Sequence, residues 1–244
     1  MTDAGADSET GADADAGSAV RSVDSTGDGT GPDPAPFVRG VRWLRTVPVT
    51  LALCLLLGWV YVLELAVVVT AGRPTATWWF VATTNPSPGW VLGPLSHTPA
   101  DPTHLLGNLS LLVVFGGMTE RRLGPRATVA TLAVAGLGGT AGQLVSYWLA
   151  PSGTGATLGA SAMALAATAF ATTASLRTRV TTGRWAGEVT WVWTALGVAL
   201  VGRRLALDLA VSVPGVGRFG HLWGIIFGVG LALASPSRRD PESR

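Results

Sequence analysis

Lysine is absent from this 244-residue chain, cysteine occurs once, histidine three times, and charged residues make up only 13% of the sequence. Each shortage excludes something. An ordinary soluble domain carries about 25% charged residues, so the charge deficit argues against a soluble enzyme. The lone Cys54 rules out an intramolecular disulfide and any multi-cysteine metal or iron–sulfur site. His97, His104 and His221 are too scattered to form the His-Glu-x-x-His of a zinc protease. An aspartyl protease within the membrane needs two aspartates there, and only Asp208 is placed for it. With no lysine, all 17 basic residues are arginines, and they are spaced along the chain rather than gathered on one element, so nucleic acid is not an expected partner. No cofactor and no metal are expected.

What the chain does contain is apolar: 48% hydrophobic residues, 32 glycines and 10 tryptophans, the profile of a membrane protein. The net charge of +2 hides two unlike regions. Residues 1–36 hold eight acids against Arg21, net −7, and the remaining 208 residues hold 16 arginines against seven acids, net +9. The first 36 residues have almost no aliphatic side chains beyond Val20 and Val23 and read as a disordered acidic tail. An acidic start so far ahead of the first apolar run is no secretory signal, which leaves the N-terminus in the cytoplasm.

From Val47 to Ala71 runs VPVTLALCLLLGWVYVLELAVVVTA, 25 residues with one charge, Glu64. That exceeds the roughly 20 helical residues that cross a bilayer core. Comparable segments follow at about His104–Thr119, Ala127–Ala150, Leu158–Leu176, Gly187 to past Gly202, and Val216–Ala234, giving six spans. The fifth contains Arg203, Arg204 and Asp208. With the tail inside, 13 arginines fall on the cytoplasmic side and two, Arg73 and Arg218, outside, which the positive-inside rule expects for six spans with both termini cytoplasmic. The first external connection, Arg73 to Thr103, carries Trp78, Trp79, Phe80 and Trp90 and suits a segment lying in the membrane interface. The organisation expected is therefore an acidic tail over 1–36, a basic juxtamembrane segment over 37–46, a membrane domain over 47–234 and a short cytoplasmic tail over 235–244.

Polar side chains inside apolar spans are expensive, so the few that remain are candidate functional groups. His104 and Asn108 are four apart and share one face of the second span. Ser161 follows the glycine-rich PSGTGATLGAS and opens the fourth span, and His221 lies about one turn into the sixth. All four fall at a similar depth near the external side. Taken singly, Ser161 would bond back to its own backbone, His104 and Asn108 would be inter-helix glue, and His221 would be a proton relay. Taken together, a hydroxyl and an imidazole at matched depth supply a nucleophile and its general base. The free N–H groups of a helix N-terminus suit a developing oxyanion.

The run HLLGNLSLLVVFGGMTERRLG (His104 to Gly124), the GASA around Ser161 and GHLWGIIFG (Gly220 to Gly228) resemble the rhomboid intramembrane serine proteases. The likeness covers about Val47 to Ala234 and implies an all-α membrane fold, a six-helix rhomboid-like bundle. Carried onto this chain, it makes Ser161 the nucleophile and His221 the general base. His104 and Asn108, with the Ser161 backbone N–H, would form the oxyanion hole. Glu120, Arg121 and Gly124 would match the structural end of the second span. Gly224 and Gly228 would let the sixth helix approach the fourth, bringing His221 to Ser161. Two positions depart from the family pattern: Ala162 stands where glycine usually follows the serine, and Leu165 where an aromatic residue often lies four positions on. A Trp-Arg pair common in the family's first external loop is missing.

The activity implied is a Ser-His dyad cleaving peptide bonds in or near the transmembrane segments of single-span or multi-span membrane proteins, from a cavity open to the external face. No carboxylate is assigned to the histidine in this scheme, so packing would orient it. The bilayer is the other implied partner, and the sequence fixes no oligomeric state. Two other readings stand beside it. One is a catalytically weak or inactive rhomboid-like protein that binds membrane clients, although such relatives typically lack the serine or histidine kept here. The other is a small transporter using Arg203, Arg204 and Asp208, against which Arg204 and Asp208 stand four apart and can pair on one helix face. His97 would brace the loop ahead of the second span, and Glu64 would reach water or a neighbouring helix.

Overall fold

The computed structural model describes residues 43–149, 155–187, 190–210 and 217–235. The acidic tail over 1–36 and residues 236–244 of the C-terminal tail lie outside the described residues, as do parts of the loops flanking the fourth and fifth apolar segments.

The described chain is helical in all six apolar segments. Helix α1, Pro48–Phe80, starts with proline at its first position, where a missing N–H is harmless. It is broken at Gly72, whose φ of 82° leaves the helical region, with Pro74 just beyond. The short α2, Gly89–Leu92, runs into a 3-10 turn at Gly93–Leu95. Helix α3, Pro102–Leu111, opens with Asp101 as N-cap, its side chain accepting from the His104 N–H. It continues through a π-turn at Leu112–Gly116 into α4, Gly117–Leu123. Helix α5 is Pro125–Leu149, α6 is Ser161–Thr182, α7 is Thr190–Ala210 and α8 is Arg218–Ala234.

The expected boundaries shift by a few residues, each for a local reason. The second segment begins earlier, because Asp101 and Pro102 form a helix start. The fourth begins later, at Ser161, because Gly159 has a φ of 115° and interrupts any helix before it. It runs on to Gly183, whose left-handed conformation ends it. The fifth runs unbroken past Arg203, Arg204 and Asp208 to Ala210.

One feature departs from a purely helical expectation. Ala82–Thr83 pairs antiparallel with Ala156–Thr157, in register Ala82 to Thr157 and Thr83 to Ala156. This two-residue ladder ties the connection after α1 to the approach to Ser161.

Helix α6 is the centre of the bundle. Its first half, MALAATAFATT after Ser161 and Ala162, is almost wholly buried. Its small side chains let neighbours come close. An added Cβ would sit 2.4 Å from the Ala162 carbonyl oxygen at Gly224, and 2.3 Å from the Ala166 carbonyl oxygen at Gly228. Real Cβ atoms do not come that near, so α8 packs backbone against backbone on α6 only because both positions are glycine. Helix α5 also makes room for α8: a Cβ at Gly138 would meet the Trp223 ring, and one at Gly220 would lie 3.1 Å from the Gly139 carbonyl oxygen.

The outer surface is apolar. On α1, Leu55 is 76% exposed, Trp59 63% and Val69 77%, while only six of its 33 residues are buried. Helices Pro48–Phe80 and Pro125–Leu149 are each long and apolar enough to cross a membrane, and Arg218–Ala234 is a shorter apolar helix.

Buried polar groups clamp the helix ends. Both Glu120 carboxylate oxygens accept from the first turn of α1, Val49 N–H at 2.9 Å and Thr50 N–H at 2.8 Å. At the far end of α8, Arg177 donates to the carbonyls of Ala232, Leu233 and Ser235.

Two measurements check this packing. Glu120→Ala strands two helix N–H groups and should lower stability by about 1–3 kcal/mol, read as an earlier thermal unfolding in detergent. Gly228→Ala should unfold well below wild type, by an overpacking cost of about 1–3 kcal/mol. Gly230→Ala should leave unfolding unchanged or raise it, because an added Cβ there meets nothing within 4 Å.

Candidate active site

Four helices bring polar groups to one end of the bundle. The positive φ of Gly159 turns the chain sharply just before α6, and its N–H is held by the Gly93 carbonyl at 2.8 Å. A Cβ there would only touch the His104 ring, at 3.5 Å, so it is the backbone conformation and not space that calls for glycine. Ser161 is consequently the first residue of α6, with its own backbone N–H among the free donors of the helix start.

His221 lies at the fourth position of α8 and is buried. The first turn of α8 is anchored by a residue the sequence reading did not single out. Buried Gln143 of α5 accepts with its Oε1 from Phe219 N–H at 2.9 Å and Gly220 N–H at 3.2 Å. An amide oxygen thus takes the part of an N-cap from another helix.

Nε2 of His221 stands 2.9 Å from Oγ of Ser161, a hydrogen-bond distance. The two line a cavity of ≈ 870 Å³ with His104, Asp101, Arg203 and Arg204. The cavity opens to solvent between these polar and charged side chains, so water can reach the serine.

The other face of the imidazole departs from the expectation that packing alone would hold it. Nδ1 lies 3.1 Å from Oδ2 and 3.4 Å from Oδ1 of Asp208, which is buried on α7. Asp208 is in turn gripped by Arg204 one turn earlier, through Nε at 3.0 Å on Oδ2 and through Nη2 on Oδ1. The pairing of Arg204 with Asp208 agrees with their spacing of four. The contact of Asp208 with His221 was not anticipated.

His104 and Asn108 separate in their surroundings. His104 lines the cavity with Ser161 and His221. Asn108 is buried behind it, and its Nδ2 donates to Nε2 of His97 at 2.9 Å, leaving the second N–H of the amide for another acceptor. His97, in the loop ahead of α3, is fully buried and packs edge-on against His104 with ring centroids 5.4 Å apart. Burial, with His104 alongside, pushes the His97 imidazole down to about 4, so the ring is neutral near pH 7 and accepts from Asn108 at Nε2. Its backbone N–H donates to Glu64 at 3.1 Å. Glu64 is therefore bound to a neighbouring segment and buried, rather than turned to water.

Ala162 and Leu165 find room in the bundle. The Ala162 methyl faces Gly139 of α5, where an added Cβ would lie 2.5 Å from it. The extra carbon on α6 is matched by a missing one on α5. Leu165 packs with Ala169 and Ile225. Among the described residues no group of three His, Cys, Asp or Glu side chains stands arranged to hold a metal ion.

Comparison with known proteins returned one finding and one blank. The model of the Rhomboid domain matches residues 90–237, which takes in α3 through α8 and every group lining the Ser161 and His221 site except the segment around Val81. Among curated proteins none matches the chain. A match over more than half of the sequence, on helices that place a serine and a histidine in contact, identifies the chain as a membrane protein of the rhomboid family.

Proposed function

We propose that this protein is an intramembrane serine endopeptidase that cleaves the transmembrane segments of membrane-protein substrates. The observation that carries the reading is the 2.9 Å contact between Ser161 Oγ and His221 Nε2 on the wall of an open, polar cavity. A structural serine would bond back to its own helix, as Thr168 does to the Ala164 carbonyl. Ser161 instead sits where that bond is impossible, at the first position of its helix.

In this mechanism Ser161 Oγ attacks the substrate carbonyl carbon and its proton passes to His221 Nε2. The negative charge that develops on the carbonyl oxygen meets the Ser161 backbone N–H and His104, with the Asn108 amide, which is shared with His97, as the further donor proposed behind them. The intermediate collapses by breaking the C–N bond, and Nε2 gives its proton to the departing amine. Water from the cavity then attacks the acyl carbon and loses a proton to Nε2; the C–Oγ bond breaks, Nε2 returns that proton to Ser161 Oγ, and the new carboxyl end is released. Gly224 and Gly228 serve the chemistry indirectly, by allowing the close approach of α8 to α6 on which the 2.9 Å contact rests.

The surroundings proposed for this chemistry are six membrane spans over 47–234 with the site toward the external face of the cell membrane. Supporting this are the apolar outer surface of α1, the bias of 13 arginines to the cytoplasmic segments against two in the external ones, and exposed Trp78, Trp79 and Trp90 in the first external connection. The acidic tail over 1–36, the basic segment over 37–46 and the tail over 235–244 would then be cytoplasmic.

Purified protein reconstituted with a model single-span substrate should cleave it, and Ser161→Ala and His221→Ala should each lose at least about a thousandfold in kcat, because nucleophile and base act as a unit. A fluorophosphonate should label the wild type and spare Ser161→Ala. Equal cleavage by all three proteins would eliminate the dyad. A folded, uncleaving wild type that still retains the substrate helix on a column would favour a client-binding role.

A further inference from the structure

The geometry points to Asp208 as a third member of the site, a positioning residue that fixes the tautomer and orientation of His221 and stabilises the imidazolium formed during proton transfer. The inference rests on the protease reading and deepens it.

A general base must present a lone pair to the serine hydroxyl. A neutral imidazole has one N–H and one lone pair, and which nitrogen carries which is set by the partner each finds. Asp208 is an acceptor at 3.1 Å from Nδ1, so the N–H lies on Nδ1 and the lone pair on Nε2, facing Ser161 Oγ at 2.9 Å. Without the carboxylate, nothing else among the described residues bonds Nδ1 of His221. The groups facing the ring are Ser161 from α6, Asp208 and Arg204 from α7, and His104 from α3. Gln143 from α5 is spent on the backbone of α8. The carboxylate is the single anion in that set.

Arg204 is the second partner of Asp208. The guanidinium engages both carboxylate oxygens from the preceding turn of α7, while Nδ1 of His221 meets the same carboxylate from α8. Side chains 30% and 7% exposed make this an ion pair with its cationic half lining the cavity and its anionic half buried. When Nε2 takes the Ser161 proton, the new positive charge on the ring is matched by a fixed negative one at Nδ1. No proton moves to Asp208.

Asp208 and Arg204 could instead be only a brace for α7. A brace is broken equally by removing either half. A positioning carboxylate is not, because Arg204→Gln leaves Asp208 on Nδ1 while Asp208→Asn takes the charge from it and offers Nδ1 an amide.

The test uses the full-length protein in lipid vesicles with the single-span substrate. Asp208→Asn should lose between about tenfold and 10⁴-fold in kcat with KM within about twofold of wild type. Arg204→Gln should lose no more than a few fold, and Asp208→Glu should recover part of what Asp208→Asn lost. Equal losses in Asp208→Asn and Arg204→Gln, or a loss confined to KM, would overturn the inference and leave the dyad intact. Should Asp208→Asn fail to fold, nitrogen-15 spectra of histidine-labelled wild type decide the matter. An N–H on Nδ1 of His221 supports the assignment, and an N–H on Nε2 overturns it. Absence of cleavage by wild type itself would remove the protease reading, and with it this role for Asp208.

Discussion

The contact on which the rest depends is backbone against backbone, where Gly224 and Gly228 of α8 lie on the Ala162 and Ala166 carbonyls of α6. A membrane interior gives no hydrophobic reward for bringing two helices together, so close approach must come from surface shape. Alanine-rich α6 and glycine-bearing α8 are smooth enough to touch along their length. Their N-terminal ends then meet at one level, and the serine that opens one helix reaches the histidine one turn into the other. Everything chemical about the site is set by that fit and by the polar clamps around it. Glu120 secures α1, Gln143 secures the start of α8, and Arg177 secures its finish.

The polar groups behind the cavity form a second layer with its own logic. Glu64 holds the His97 backbone, His97 holds Asn108, and His104 packs edge-on against His97. The chain of contacts runs from α1 through the loop to α3, so the side of the cavity facing Ser161 is braced by a buried neutral imidazole. A charged His97 could not accept from Asn108, and burial keeps it uncharged.

Much of this was legible in the sequence, because membrane helices restrict what a polar residue can mean. Depth along a span can be counted from its ends, and counting put Ser161, His221, His104 and Asn108 at one level. The glycines at 224 and 228 were legible for the same reason: spaced four apart, they form one smooth stripe. What counting could not supply was rotation. Whether Asp208 faces lipid, α6 or α8 depends on how α7 turns about its own axis, and the sequence of an apolar helix leaves that nearly free. Its pairing with Arg204 follows from a spacing within one helix, whereas its contact with His221 requires the relative height and rotation of two. Gln143 was obscured in the same way, and so were the partners of His97, whose place in the loop the sequence did show, since each bonds across separate elements. The ladder at 82–83 and 156–157 is too short to leave any alternating pattern.

Placing Asp208 on α7 also makes the site a detector of helix position. A hydrogen bond from Nδ1 at 3.1 Å is lost once the partner retreats by much more than half an ångström, and α7 holds only a few buried residues of its own, Thr194, Gly197 and Asp208. A bundle spread open along α7 therefore has a serine and a histidine in contact but an imidazole free to turn over. On the protease reading, Ser161, His221 and Asp208 are aligned for hydrolysis only when α7 lies against α8, and a bundle opened along α7 would not cleave.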